Sequence, residues 1–336
     1  MSQSALFRYK GGAAPNIAAL AYMGVAYGGG GWLITAPSLA ANLLGTLLVA
    51  HGLVLAAYFI HEFAHGSIFA KPAQNDTAGK VMAWLTGACF ASYDGLKEKH
   101  LRHHADRLDV VTFSYRDFLR RQPGWMTKLI LALEWAYVPA VELLMHGFVI
   151  AAQFTRGNAE RKRRALIMVA SRLAFFAVLA SLAPKALVFY AIAYMIFLHV
   201  LRFMDAFQHT YDVYESKGLT AAPPELVRDR AYEHANTYSN VLSLSHPVLD
   251  LLTLNFAYHN AHHARPAVPW YDLPSLHAKL YGEDRTQVLP AMALFATWHK
   301  NRLRRVTDPD YGFVAPSGDR AAQFVGAVGV SFLTAV

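Results

Sequence analysis

Cysteine is nearly absent. Cys89 is the one cysteine in 336 residues, so an intramolecular disulfide, a cysteine-ligated iron–sulfur cluster and a four-cysteine zinc site are all excluded. Any metal here must be held by nitrogen or oxygen. Charge is also scarce. Asp, Glu, Lys and Arg make up 16% of the chain, against roughly 25% in a soluble domain. Apolar residues make up 54% and mean hydropathy is +0.22, which points to a membrane protein. No repeat, low-complexity tract or nucleic-acid-binding module is visible, so nucleic acid is not an expected partner. The charge that remains is net basic, +8 with histidine neutral. Its basic runs flank apolar stretches, as cytoplasmic loops do under the positive-inside rule.

Four apolar runs are long enough to cross a hydrocarbon core about 30 Å thick: residues 17–35, 38–60, 165–183 and 186–204. The first is interrupted by Gly28-Gly29-Gly30-Gly31, and the last two form a hairpin hinged at Pro184-Lys185. Arg172 falls inside the third run, where it is expected to face protein rather than lipid. Residues 71–80 read as a polar loop. Residues 81–93 are apolar but too short to span, so they are expected to be re-entrant or interfacial. Residues 129–154 contain Glu134, Pro139, Glu142 and His146. A crossing there would put the third histidine cluster described below on the opposite side from the other two, so this segment is expected in the interface. The fold class is then an all-α membrane protein with four transmembrane helices, interfacial or re-entrant helices, and a cytoplasmic helical cap. One domain covers 1–320, with the cap formed by 61–164 and 205–320. Both termini and the site are expected on the cytoplasmic side. The apolar tail 321–336 has no assignable role.

Histidine is the residue in excess, with 16 in the chain. Eight fall in three boxes: His61-Glu62-Phe63-Ala64-His65, His100-Leu101-Arg102-His103-His104 and His259-Asn260-Ala261-His262-His263. Spacings of three and four residues put each set on one helix face. The first box alone matches HExxH, in which two histidines bind zinc and the glutamate is the general base of a protease. That reading leaves six clustered histidines unused, since a catalytic zinc needs only three protein ligands. A bis-histidine haem protein would need ligands within the bilayer, whereas the boxes lie at span ends. Eight imidazoles suit two metals. In a membrane the available substrate is a hydrocarbon chain, and breaking an unactivated C–H bond needs oxygen activated at a redox metal. Two irons therefore fit better than zinc.

The order and spacing of these boxes, with the four-span pattern, resemble the integral-membrane fatty acid desaturase superfamily, which includes membrane hydroxylases of alkyl chains and carotenoids. The resemblance covers about residues 15–290. It implies a non-haem diiron site held by His61, His65, His100, His103, His104, His259, His262 and His263, with O2 as co-substrate and a lipid acyl chain as substrate. The expected reaction installs a double bond; hydroxylation of a lipid, alkane or carotenoid is the alternative. The family often has another ligand near the end of the fourth span. His209 stands at that place, with Asp205 one helical turn before it, and His234 is its rival. Glu62, Asp106, Asp109 and Asp205 are candidates to orient ligands through hydrogen bonds. His51 and His199 read as structural, and His246, His277 and His299 as surface or packing residues. Fused cytochrome b5 domains carry a His-Pro-Gly-Gly motif, whereas here His246-Pro247 is followed by Val248. The electron donor is therefore expected to be a separate ferredoxin or cytochrome b5, and Lys97, Lys99 and Arg102 are expected to form a basic face for it.

Overall fold

Ser38 and Asn42 make the first corner. The Ser38 hydroxyl accepts from the Ala41 N–H at 3.5 Å, and the Asn42 amide donates to the carbonyls of Leu33 and Ala36, both at 2.9 Å. They separate α1 (Ala13–Leu33) from α2 (Leu39–Ala64). The structure is a computed structural model describing residues 6–111, 113–211, 213–215, 224–330 and 333–335. It divides into two units, Met1–Gly95 with His146–Val200, and Leu96–Met145 with Leu201–Ala335.

In the first unit α1 and α2 cross on glycine. A Cβ on Gly45 would lie 2.7 Å from the Gly30 carbonyl oxygen, and one on Gly30 would lie 2.9 Å from that of Gly45. Small residues at such a crossing let two apolar helices approach where lipid supplies no hydrophobic drive. The other glycines of the Gly28–Gly31 run meet nothing within 4 Å. Pro72 starts α3 (Pro72–Thr86), and Gly87, in the left-handed region, stops it. The expected polar loop 71–80 is thus mostly helix, because proline fits the first turn of a helix. The short apolar run 81–93 divides between α3, a 3-10 turn at Ala88–Phe90 and the start of α4 (Tyr93–Asp106). Arg164 donates to the carbonyls of Cys89 and Phe90 at 2.7 and 2.6 Å.

Among the described residues three helices are long and apolar enough to cross a membrane: α2, α8 (Ala159–Leu182) and α9 (Ala186–Ala206). The expectation of a fourth is not met by this measure. α1 has 21 residues, but Asn16, two tyrosines and four consecutive glycines dilute it. Only 17% of the apolar window of α8 is buried, an exposure that suits lipid. Arg172, inside α8, is turned to protein as expected. It donates to the Trp84 carbonyl at 2.8 Å and lies over the rings of Trp84 and Phe176. Lys185, in the turn between α8 and α9, donates to the Ala36 carbonyl at 2.6 Å and to Asn42 at 2.9 Å. The two short interhelical turns are thereby tied side by side.

In the second unit the chain leaves α4 through Arg107, at φ 60°, into β1 (Asp109–Val111). This pairs in parallel with β2 (Val213–Glu215), Asp109 opposite Val213. Ser114 caps α5 (Tyr115–Arg120). The ambiguous stretch 129–154 is two helices, α6 (Gly124–Trp135) and α7 (Ala140–Thr155), broken before Pro139. Its acidic residues are engaged: Arg202 binds Glu134 at 2.6 Å and Glu142 at 3.2 Å, all buried. After α10 (Arg230–Ala235) come α11 (His259–Ala264), α12 (Leu273–Tyr281), α13 (Ala291–Lys300) and α14 (Arg304–Thr307). The tail 321–336 proves to be core in its described part. Phe324 packs with Phe207, Leu294 and Ala257. Arg305 lies over the Trp298 ring at 4.1 Å and donates to the Val325 carbonyl. Residues 331, 332 and 336 of that tail fall outside the described residues.

Candidate metal centre

The second box is carried by α4 and the third by α11. Each box divides its histidines between two clusters. His100 and His104, with His262, form one. Their Nε2 atoms approach at 3.2 Å (His100–His104) and 3.0 Å (His104–His262). His103, His209, His259 and His263 form the other, with one nitrogen of each within 4.8 Å of those of the rest. Here the Nε2 separations are 3.2 Å for His103–His263 and 2.8 Å for His209–His259. The rings of His104 and His263 lie 4.4 Å apart, so the clusters adjoin. In the first unit, His61 and His65 at the end of α2 bring their rings to 4.8 Å.

These separations can be tested against a metal. With metal–nitrogen bonds of about 2.1 Å, two ligands at right angles sit about 3.0 Å apart, close to the four values above. Proton accounting gives a second test. His103 Nδ1 faces the Leu108 carbonyl at 3.0 Å and Asp109 at 3.3 Å. His263 Nδ1 faces Glu233 at 3.0 Å. Both contacts need the ring proton on Nδ1, and a neutral imidazole has only one. The two Nε2 lone pairs then point at each other over 3.2 Å, an arrangement that a shared cation stabilises. Burial, with His259 and His103 alongside, holds the His209 imidazole well below its ordinary pKa, hence neutral. The residues present fit a metal held by imidazole nitrogen.

The carboxylates sort themselves by contact. Glu62 lies 3.2 Å from His61 Nδ1 and accepts from the Ser67 hydroxyl at 2.7 Å. Asp109 faces His103, as described. Glu233 was missed in the sequence. Besides His263 it pairs with Arg107, which anchors the carboxylate from behind. Its one sequence signal is its place beside His234 in Glu233-His234. Asp106 instead pairs with Arg102 across one helical turn at 3.4 Å. Asp205 is not on a shared helix face with His209, because α9 ends at Ala206. It lines a small cavity with Lys99, Asp109, His209, His259 and Phe256.

Lys99 corrects the expected docking face. It is 6% exposed and donates to the Thr334 carbonyl at 2.6 Å, so no partner can reach it. Burial brings its pKa down to about 7 and lifts that of Asp109 to about 7. His234 is exposed beside Tyr281 and belongs to neither cluster. His51 is bonded to Tyr22 at 2.8 Å and His277 to Asn260 at 3.2 Å. His246 is exposed against Ser245 and His299 against Tyr137.

A sequence model described as fatty acid desaturase matches residues 37–295. The chain belongs to the fatty acid desaturase family. The match contains all three boxes and His209, and the family is diiron-dependent and of oxidoreductase type. No curated protein matches the chain. Membership and the three candidate spans make it an integral-membrane protein of the desaturase type.

Proposed function

We propose that the chain is an O2-dependent acyl desaturase that removes two hydrogens from adjacent methylenes of a lipid acyl chain. The observation that carries the proposal is the double cluster of converging imidazoles, within a family that uses two irons. His103, His209, His259 and His263 would hold one iron, and His100, His104 and His262 belong to the other. By the family pattern His61 and His65 also serve as ligands. When bound, the irons supply the two-electron reduction of O2 that makes an unactivated C–H bond reactive. The balance is one acyl chain, one O2, two electrons and two protons giving one alkene and two waters. The electrons come from a separate carrier of the ferredoxin or cytochrome b5 type.

The chain's own residues hold and orient. Asp109 and the Leu108 carbonyl fix the His103 ring, and Glu233 fixes that of His263. Phe256, Val110 and Val330 give the cavity beside the histidines an apolar wall, which limits water. For topology, α8 and α9 return the chain to one side, so the boxes share a side whether or not α1 crosses. With α1 as a fourth span, both termini lie with the boxes on the cytoplasmic side. The test is a lipid mass profile of a host expressing the chain with a ferredoxin system, against His262→Ala. A lipid lighter by two hydrogens only in the wild type is the expected result. A product heavier by one oxygen would replace desaturation with hydroxylation. No change in a preparation carrying two irons and a competent donor would refute the acyl substrate.

A further inference from the structure

One surface of the second unit is built inside out. In the turn Pro247–Thr253 the carboxylate points inward: Asp250 is 0% exposed and accepts from the Leu242 N–H at 2.7 Å. The aliphatic residues around it point outward, with Val248 at 65% and Leu252 at 48%, and Leu244, Leu249 and Leu251 exposed as well. In water the reverse arrangement would be favoured, because every exposed apolar side chain forgoes burial.

The same surface continues on α13. The Val241 carbonyl accepts from the Ala291 N–H at 2.9 Å, which sets this turn beside the helix start. Leu294 and Thr297 fill the buried face of α13, yet Met292 is 72% and Phe295 49% exposed. The helix is therefore apolar on both sides for its first six residues, Ala291 to Ala296. His299 and Lys300, both exposed, follow at its end. Tyr137 stacks on His299 at 6.1 Å, and the Arg302 guanidinium lies 6.0 Å from the Tyr137 ring. An aromatic and cationic rim beside an apolar patch is the composition of a surface held at the bilayer boundary.

The depth of this surface can be read from its neighbour. Phe295 stacks on Phe203 at 4.8 Å, 18° from parallel. Phe203 lies three residues before the end of α9, about 5 Å along the axis at ~1.5 Å per residue. α9 is a candidate membrane-crossing helix of 21 residues, about as long as the hydrocarbon core is thick. Phe203 is itself buried, at 8% exposure, so the contact sets depth: Phe295 stands at the level of the last turn of α9.

We propose that the turn Pro247–Thr253 and the first half of α13 lie in the bilayer interface, with Val248, Leu252, Met292 and Phe295 inserted among acyl chains. The occupant of this apolar face is lipid, to which its depth at the last turn of α9 and its aromatic and cationic rim both point. The elements act as a monotopic anchor that fixes the histidine-bearing unit at the membrane surface. This inference rests on the span assignment of α9 and not on the oxidation chemistry.

The test is spin labelling of the full chain in nanodiscs of phosphatidylcholine with phosphatidylglycerol. Single cysteines at Val248→Cys, Leu252→Cys and Met292→Cys are placed in a Cys89→Ala background. Leu173→Cys on α8 marks lipid and Glu283→Cys marks water. Collision with O2 should exceed collision with nickel-EDDA at all three test sites, as at Leu173. Nickel accessibility equal to that at Glu283 would overturn the proposal. Exclusion of both reagents would mean that protein covers the surface, and would overturn it equally. A Leu173 label that meets water would remove the span assignment and the proposal together. Leu252 and Met292 stand independently should the Val248 variant fold poorly.

Discussion

Glu233→Gln separates orientation of a ligand from general stabilisation. Glu233 Oε1 lies 3.0 Å from His263 Nδ1, and its other oxygen pairs with Arg107. The substitution keeps the shape and removes the charge that holds the His263 proton on Nδ1. Loss of such a partner typically costs 10–100-fold in metal affinity, or about 1.4–2.7 kcal/mol. The cost to folding should be small, because the Arg107 side chain is 20% exposed and water can take over part of its solvation. The assay is iron(II) titration of anaerobic, detergent-purified protein against a chromophoric chelator, with thermal unfolding in parallel. His263 belongs to the His103, His209 and His259 cluster, so one of two irons should weaken by that factor while the other keeps its affinity. Asp106→Asn is the control, since Asp106 pairs with Arg102 across one helical turn. Unchanged affinity at both sites would refute the orienting role. Equal loss of both irons with a lowered unfolding temperature would show that Glu233 acts only on the fold.

Two further outcomes follow from geometry. Gly45→Ala puts a methyl 2.7 Å from the Gly30 carbonyl and 2.8 Å from the Ile34 N–H nitrogen, backbone atoms that cannot swing aside. Destabilisation of about 1–3 kcal/mol is expected, read as a lower unfolding temperature in detergent. Gly31→Ala, with nothing within 4 Å, should not lose stability; an equal loss in both would mean that the crossing is not close-packed. His209→Ala should release iron, because His209 Nε2 meets His259 Nε2 at 2.8 Å, whereas His234→Ala should retain the wild-type iron content. The opposite result would move the ninth ligand to His234.

The spans were legible in the sequence because hydropathy is a local property. Residues 38–60 and 186–204 lie inside α2 and α9 to within a residue, and 165–183 nearly coincides with the latter part of α8. The errors arose where composition and backbone geometry disagree. Residues 71–80 look like loop because they are polar, but Pro72 supplies an N-terminal turn and the chain simply winds on. Lys99 looks like surface because it is charged and adjoins Lys97 and Glu98. Its burial depends on Thr334, 235 residues away, and no local pattern announces such a partner. The tail was unassignable for the same reason, as its value lies in distant contacts with Phe207 and Arg305.

The site shows how far spacing can be pushed. A spacing of three and four residues says that three imidazoles share a helix face, and the boxes could be found from that alone. It does not say which imidazoles meet. Residues four apart, such as His100 and His104, point along one line and join one cluster, while His103, rotated about 60° from His100 in the opposite sense to His104, turns to the other. In α11 the same periodicity pairs His259 with His263 and sends His262 across to His104. An HxxHH box is therefore a divider, giving each of two adjoining centres its own share of one helix. Two such boxes facing each other supply six imidazoles from helices, and His209, in the turn just beyond α9, joins His103, His259 and His263 as the fourth of their cluster. A single metal would leave one or two histidines of each HxxHH box without purpose, so the doubled pattern is itself the argument for two.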